Sequence, residues 1–74
     1  MNFEDIRTEA TNLLYRLRQR DKTALRRYYS FDPFAGVFEP RIDDAQYVIA
    51  REYGYASWRR LREHLTGLAV ADSI

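Results

Sequence analysis

The chain has 74 residues, of which 46% are hydrophobic, with 11 aromatics, no cysteine, one histidine and a formal net charge of +1. A chain of that size holds one domain and one core burying about 60% of its unfolded surface, and its composition excludes disorder, disulfide staples and thiolate metal sites. No apolar run approaches the ~18 residues of a membrane helix, the N-terminus MNFEDIRTEA is not an export signal, and there is no overall basic excess. These features predict a cytoplasmic protein with no membrane partner, in which any nucleic-acid reading must rest on local charge.

Phe3, Ile6, Ala10, Leu13, Leu14 and Leu17 recur at steps of three and four, which predicts a helix over 3–20 with one buried stripe. Asn2 is its expected N-cap. Glu4, Asp5 and Glu9 fall early and Arg16, Arg18 and Arg20 late, so this basic cluster matches the helix dipole and has a structural explanation. Asp21 can cap a second helix over 22–29, with Ala24, Leu25, Tyr28 and Tyr29 on its buried edge and Arg26 and Arg27 outward. The short connection folds the two back as a hairpin.

From Ser30 to Ile42, SFDPFAGVFEPRI contains both prolines and a glycine and fits neither helix nor strand periodicity. It is too apolar for a solvated linker. Phe31, Phe34, Val37 and Phe38 are expected to plug the core from an ordered loop, with an exposed partner-binding patch as the alternative.

Asp43 or Asp44 can cap a third helix over 43–53, whose Ala45, Val48, Ile49 and Tyr53 face inward and which Gly54 ends in a left-handed conformation. Ser57 is the N-cap expected for a fourth helix over 57–66, with Trp58, Leu61 and Leu65 inward and Gly67 terminating it. Trp58 beside Tyr53 and Tyr55 would lock this second hairpin through aromatic contacts. The predicted fold is all-α: four short helices in two helical hairpins joined by an aromatic loop, a domain over 1–67 and a tail over 68–74.

Catalytic candidates are few. There is no glycine-rich phosphate loop and no nucleophile elbow, His64 stands alone near a helix end, and the Asp43-Asp44 pair reads as dipole complementation. The chain is therefore expected not to be an enzyme, with no catalytic residues, no cofactor and no bound metal.

Eleven of the 12 basic residues are arginine, whose planar fork suits phosphate and carboxylate. Arg59 and Arg60 fall in the first turn of the fourth helix, where the dipole disfavours cations. With Arg62 and Arg51 they form a candidate nucleic-acid surface, since a helix-turn-helix places its contacts there. The competing reading pairs these arginines with Glu52, Glu63 or other acids. The register of Ala50 and Gly54 suits a DNA-reading turn, but the buried positions expected after it fall on Arg60 and Glu63 while the apolar residues are Trp58, Leu61 and Leu65.

The stretch Asp44-Ala45-Gln46, then Val48-Ile49-Ala50-Arg51-Glu52-Tyr53-Gly54-Tyr55, then Ser57-Trp58 with Leu61 and His64, resembles the small helical region that precedes ankyrin repeats in bacterial ankyrin-repeat proteins. Leu14, Leu17, Asp21, Ala24, Leu25 and Arg27 are compatible with the helix pair leading into it. The resemblance implies a bacterial all-helical capping or protein-interaction module with no catalytic residues to transfer. Its expected partner is a protein, either a second copy as a homodimer or an ankyrin-type protein. Tyr28, Tyr29, Phe34 and Phe38 are the candidate protein-binding anchors, because aromatics dominate binding energetics. The alternative is a small nucleic-acid-binding module using Arg51, Arg59, Arg60 and Arg62.

Overall fold

The computed structural model describes residues 2–32 and 39–67. Within them the chain forms α1 (Phe3–Arg18), α2 (Lys22–Phe31), α3 (Ile42–Glu52) and α4 (Trp58–Thr66), with no strand among the described residues. The all-α prediction therefore holds. No helix among the described residues is long and apolar enough to cross a membrane.

Three of the four helix starts are the predicted ones. Asn2 accepts from the Asp5 amide at 3.0 Å, Asp21 from the Ala24 amide at 2.9 Å and Ser57 from the Arg60 amide at 3.2 Å. Each satisfies one amide that the first turn leaves without an intrahelical partner, and each cap is worth about 1 kcal/mol. The start of α3 differs from the prediction. Neither Asp43 nor Asp44 is the cap: Arg41, with extended backbone, holds that position, and the Asp44 carboxylate reaches back to the Arg41 amide at 2.8 Å. A carboxylate already inside the first turn can serve only in this reciprocal way, as the second half of a capping box.

Two helix ends also differ. The first helix stops at Arg18, not Arg20, because the chain turns left-handed at Arg20, whose φ is +58°. The Arg20 amide donates to the Leu17 carbonyl and the Asp21 amide to the Arg16 carbonyl, closing a Schellman turn. The second helix runs on to Phe31 and ends at Asp32, the residue before a proline in the sequence and so biased out of the helical region. The α3–α4 turn repeats the first one. Gly54, at φ +92°, donates to Arg51, and Tyr55 donates to Ala50. Here glycine occupies the left-handed position, as predicted.

The helices meet around α3, which packs on each of the other three and most extensively on α1. Ile6, Ala10, Leu13 and Leu17 of α1 face Ala45, Val48, Ile49 and Ala50 of α3, with Ala24 and Tyr28 from α2 and Leu61 from α4 completing the buried set. No polar or charged residue is buried among them. Phe31, Tyr53, Tyr55, Trp58 and Leu65 pack at the margin, partly covered. Of the predicted loop plugs, Phe31 does pack on the core but from the helix, while Phe34, Val37 and Phe38 lie outside the described residues, as does the 68–74 tail.

Trp58 has a different partner from the one expected. Its ring meets Phe3 of α1 at 5.4 Å rather than locking against Tyr53 and Tyr55, so it ties the fourth helix to the first instead of to the turn. Tyr55 lies against His64 at 5.5 Å.

Arg20→Gly is expected to raise stability by about 0.5–1 kcal/mol, because a residue with a Cβ pays roughly 1–2 kcal/mol to sit left-handed and the greater unfolded-state freedom of glycine offsets part of that gain. Urea unfolding gives the answer: a midpoint at or below that of the native sequence would mean that the Arg20 side chain contributes as much as its backbone costs.

Candidate functional site

The predicted anchors separate in the structure. Tyr28 is a core residue, only 6% exposed, because its position on α2 follows Ala24 by one turn and faces α3. It is not available as a surface anchor. Its hydroxyl, at the rim, donates to Asp32 at 3.3 Å. Burial, together with the charges of Asp44 and Asp32, pushes its pKa up from 10.0 to about 12. Tyr29 is half-buried, its ring edge-on to Tyr28 at 5.5 Å. Phe34 and Phe38 are outside the described residues.

The candidate arginines do not form one patch by contact. Arg59 and Arg60 lie in the first turn of α4 as predicted, and both approach Glu63, at 3.3 and 3.8 Å. A carboxylate one turn along thus supplies the charge that the helix start lacks, which accounts locally for two cations against the dipole. Arg62 is exposed on the same helix. Arg51 is drawn elsewhere: its guanidinium stands over the Phe31 ring of α2, 5.8 Å from the centroid.

A third cluster was not foreseen. Arg27 grips Glu52 through two nitrogens at 2.8 and 2.6 Å, and the Tyr53 hydroxyl donates to Glu9 at 2.6 Å. These contacts join α2 to α3 and α3 to α1 along one edge of the bundle. The hydrogen bond to Glu52 raises the Arg27 pKa against the opposing effect of burial. The hydrogen bond to Glu9, followed by burial, raises that of Tyr53. Beside them lies a shallow groove of about 170 Å³ lined by Glu9, Asn12, Leu13, Arg16 and Arg27. Its volume falls below the roughly 300 Å³ at which small-molecule sites begin.

The pairs in this cluster are 25 and 44 residues apart in sequence, beyond the reach of any helical spacing rule. The one signal was local: Glu52 and Tyr53 are adjacent polar groups at the end of a helix whose other face is apolar.

His64 is exposed in the last turn of α4, and no group of three or more His, Cys, Asp or Glu side chains that could hold a metal ion occurs among the described residues. No family model matches the chain, and no curated protein or solved structure matches it.

The Tyr28 shift has a consequence for stability at high pH. A folded-state pKa above the unfolded value means that the native state holds the proton more tightly, so the contribution is full below pH 10 and is lost as pH rises toward about 12. Urea midpoints taken across that range are expected to fall more steeply for the native sequence than for Tyr28→Phe. Equal slopes would place the alkaline sensitivity elsewhere.

Proposed function

We propose that the chain is a non-catalytic helical module that works by docking on a protein, either a second copy of itself or an ankyrin-type repeat. The observation that carries this reading is the incompletely covered aromatic margin of the core. Four short helices close over a centre built largely from alanine, valine, leucine and isoleucine, while Phe3, Tyr29, Phe31, Tyr53, Tyr55 and Trp58 pack against it only partly buried. Half-covered rings held on rigid helices have lost most of their conformational freedom before a partner arrives, which lowers the cost of binding.

The residues of the ankyrin-associated resemblance support the same reading. Ala45, Val48, Ile49, Ala50 and Leu61 are core, Gly54 forms the turn, Ser57 caps and Trp58 bridges to α1. Each has a structural task that needs no substrate.

Tyr29 is the anchor to test, because it is half-buried where Tyr28 is fully enclosed. Self-association can be followed by sedimentation equilibrium, and binding to a purified ankyrin-repeat array by calorimetry. Tyr29→Ala is expected to weaken whichever complex forms by about 10-fold or more, with the isolated chain still folded at the assay temperature although its thermal midpoint falls through the lost contact with Tyr28. Failure to associate with itself or with the array at about 100 µM, an affinity weaker than about −5.5 kcal/mol, would sink the proposal.

A further inference from the structure

The α1–α2 hairpin carries most of the positive charge of the molecule. From Arg16 to Arg27 there are six cations and one carboxylate, whereas the rest of the chain has six cations against ten carboxylates. The single acid, Asp21, is engaged as the cap of α2; Arg27 is paired with Glu52, and the Arg18 Nε donates to the Pro40 carbonyl at 3.4 Å, which leaves its terminal nitrogens for a ligand. Arg16, Arg18, Arg20, Lys22 and Arg26 are all exposed. We propose that this end of the bundle binds single-stranded nucleic acid, with these five side chains on the phosphodiester backbone and the exposed ring of Tyr15 stacked on a base.

One feature of the turn departs from what folding alone would choose. Arg20 sits left-handed at φ +58°, in the position that glycine holds at the other two helix ends of this type, Gly54 and Gly67. Lys22, the first residue of α2, lies beside the Asp21 carboxylate that caps the helix, so its charge is locally offset. Backbone strain kept where glycine would relieve it marks a surface retained for something other than stability.

Tyr15 selects among the polyanions that such a surface could meet. It is 66% exposed, more than any other large hydrophobic residue among those described, and it stands one helical turn before Arg18. An exposed ring with a guanidinium one helical turn away can stack on an unpaired base while the cations track the backbone. A duplex offers no open base face to it. A membrane surface is disfavoured because the apolar stripe of α1, Ile6, Ala10, Leu13 and Leu17, is enclosed in the core and leaves no apolar face to insert. Five of the six cations in the segment are arginines, whose forked donors match phosphate oxygens.

Fluorescence anisotropy of the full chain with labelled oligo-U, oligo-dT and a duplex of equal length, from about 50 to about 200 mM salt, tests this. Five phosphate contacts to a single strand predict a log–log salt slope near −3.5, which is a loss of about 100-fold across that range. Tyr15→Leu, which leaves every charge in place, is expected to weaken binding about 10-fold. Arg20→Gly keeps the turn and is expected to flatten the salt slope by about 0.7. Tighter binding to oligo-U or to oligo-dT than to the duplex supports the proposal. Arg59→Gln with Arg60→Gln is expected to leave binding unchanged. Absence of binding at about 50 mM salt overturns the assignment, as does equal affinity for the duplex, tighter binding to phosphatidylserine vesicles or polyglutamate, or loss in the α4 variant with none in Tyr15→Leu and Arg20→Gly.

Discussion

Everything in this bundle depends on α3 being thin enough to be surrounded. A helix contacted by three others needs small side chains where its neighbours approach most closely, and α3 supplies Ala45 and Ala50, both fully buried, with Val48 and Ile49 filling the space between. Interiors tolerate neither voids nor excess volume, so these four positions fix how near α1 can lie and, through α1, where the first hairpin rests. The two Schellman turns then determine which faces are presented. Each reverses the chain within a few residues, so the hairpins are specified locally and α3 specifies how they dock.

The perimeter follows from the same constraint. A centre packed this closely encloses one aromatic ring, that of Tyr28, and the other aromatic side chains described gather at the edge, where several take polar or aromatic partners: Tyr53 with Glu9, Trp58 with Phe3, Phe31 with Arg51. The bidentate Arg27–Glu52 pair, about one-third exposed on each side, adds on the order of 1 kcal/mol at most. Its greater effect is on alignment, since a forked contact between α2 and α3 permits little sliding.

The fold was largely legible in the sequence because its determinants are short-range. Apolar spacing placed four helices, and Asn2, Asp21, Ser57 and Gly54 marked boundaries through interactions reaching three to five residues. Errors arose where a residue type could do two jobs. Asp44 reads as a cap but acts from inside the turn, and Arg20 reads as helical although it is the residue that leaves the helix. The surface was harder to read, since pairing across helices depends on docking. The composition of α2 could not tell that Tyr28 would be enclosed while Tyr29 stayed at the rim, nor that Glu9 and Tyr53 would meet.

The contact between Trp58 and Phe3 bears on how the bundle comes apart. α4 contributes a single fully buried side chain, Leu61, and is held mainly by α3 and by that one pair of rings, so it is the element with least to lose by detaching. The only tryptophan of the chain therefore sits on the joint most ready to open. Its emission reports the undocking of the last helix, while the circular dichroism of the remaining three reports the melting of the core. Where the two signals diverge on heating, the gap between them measures how far the second hairpin can open while the first still holds.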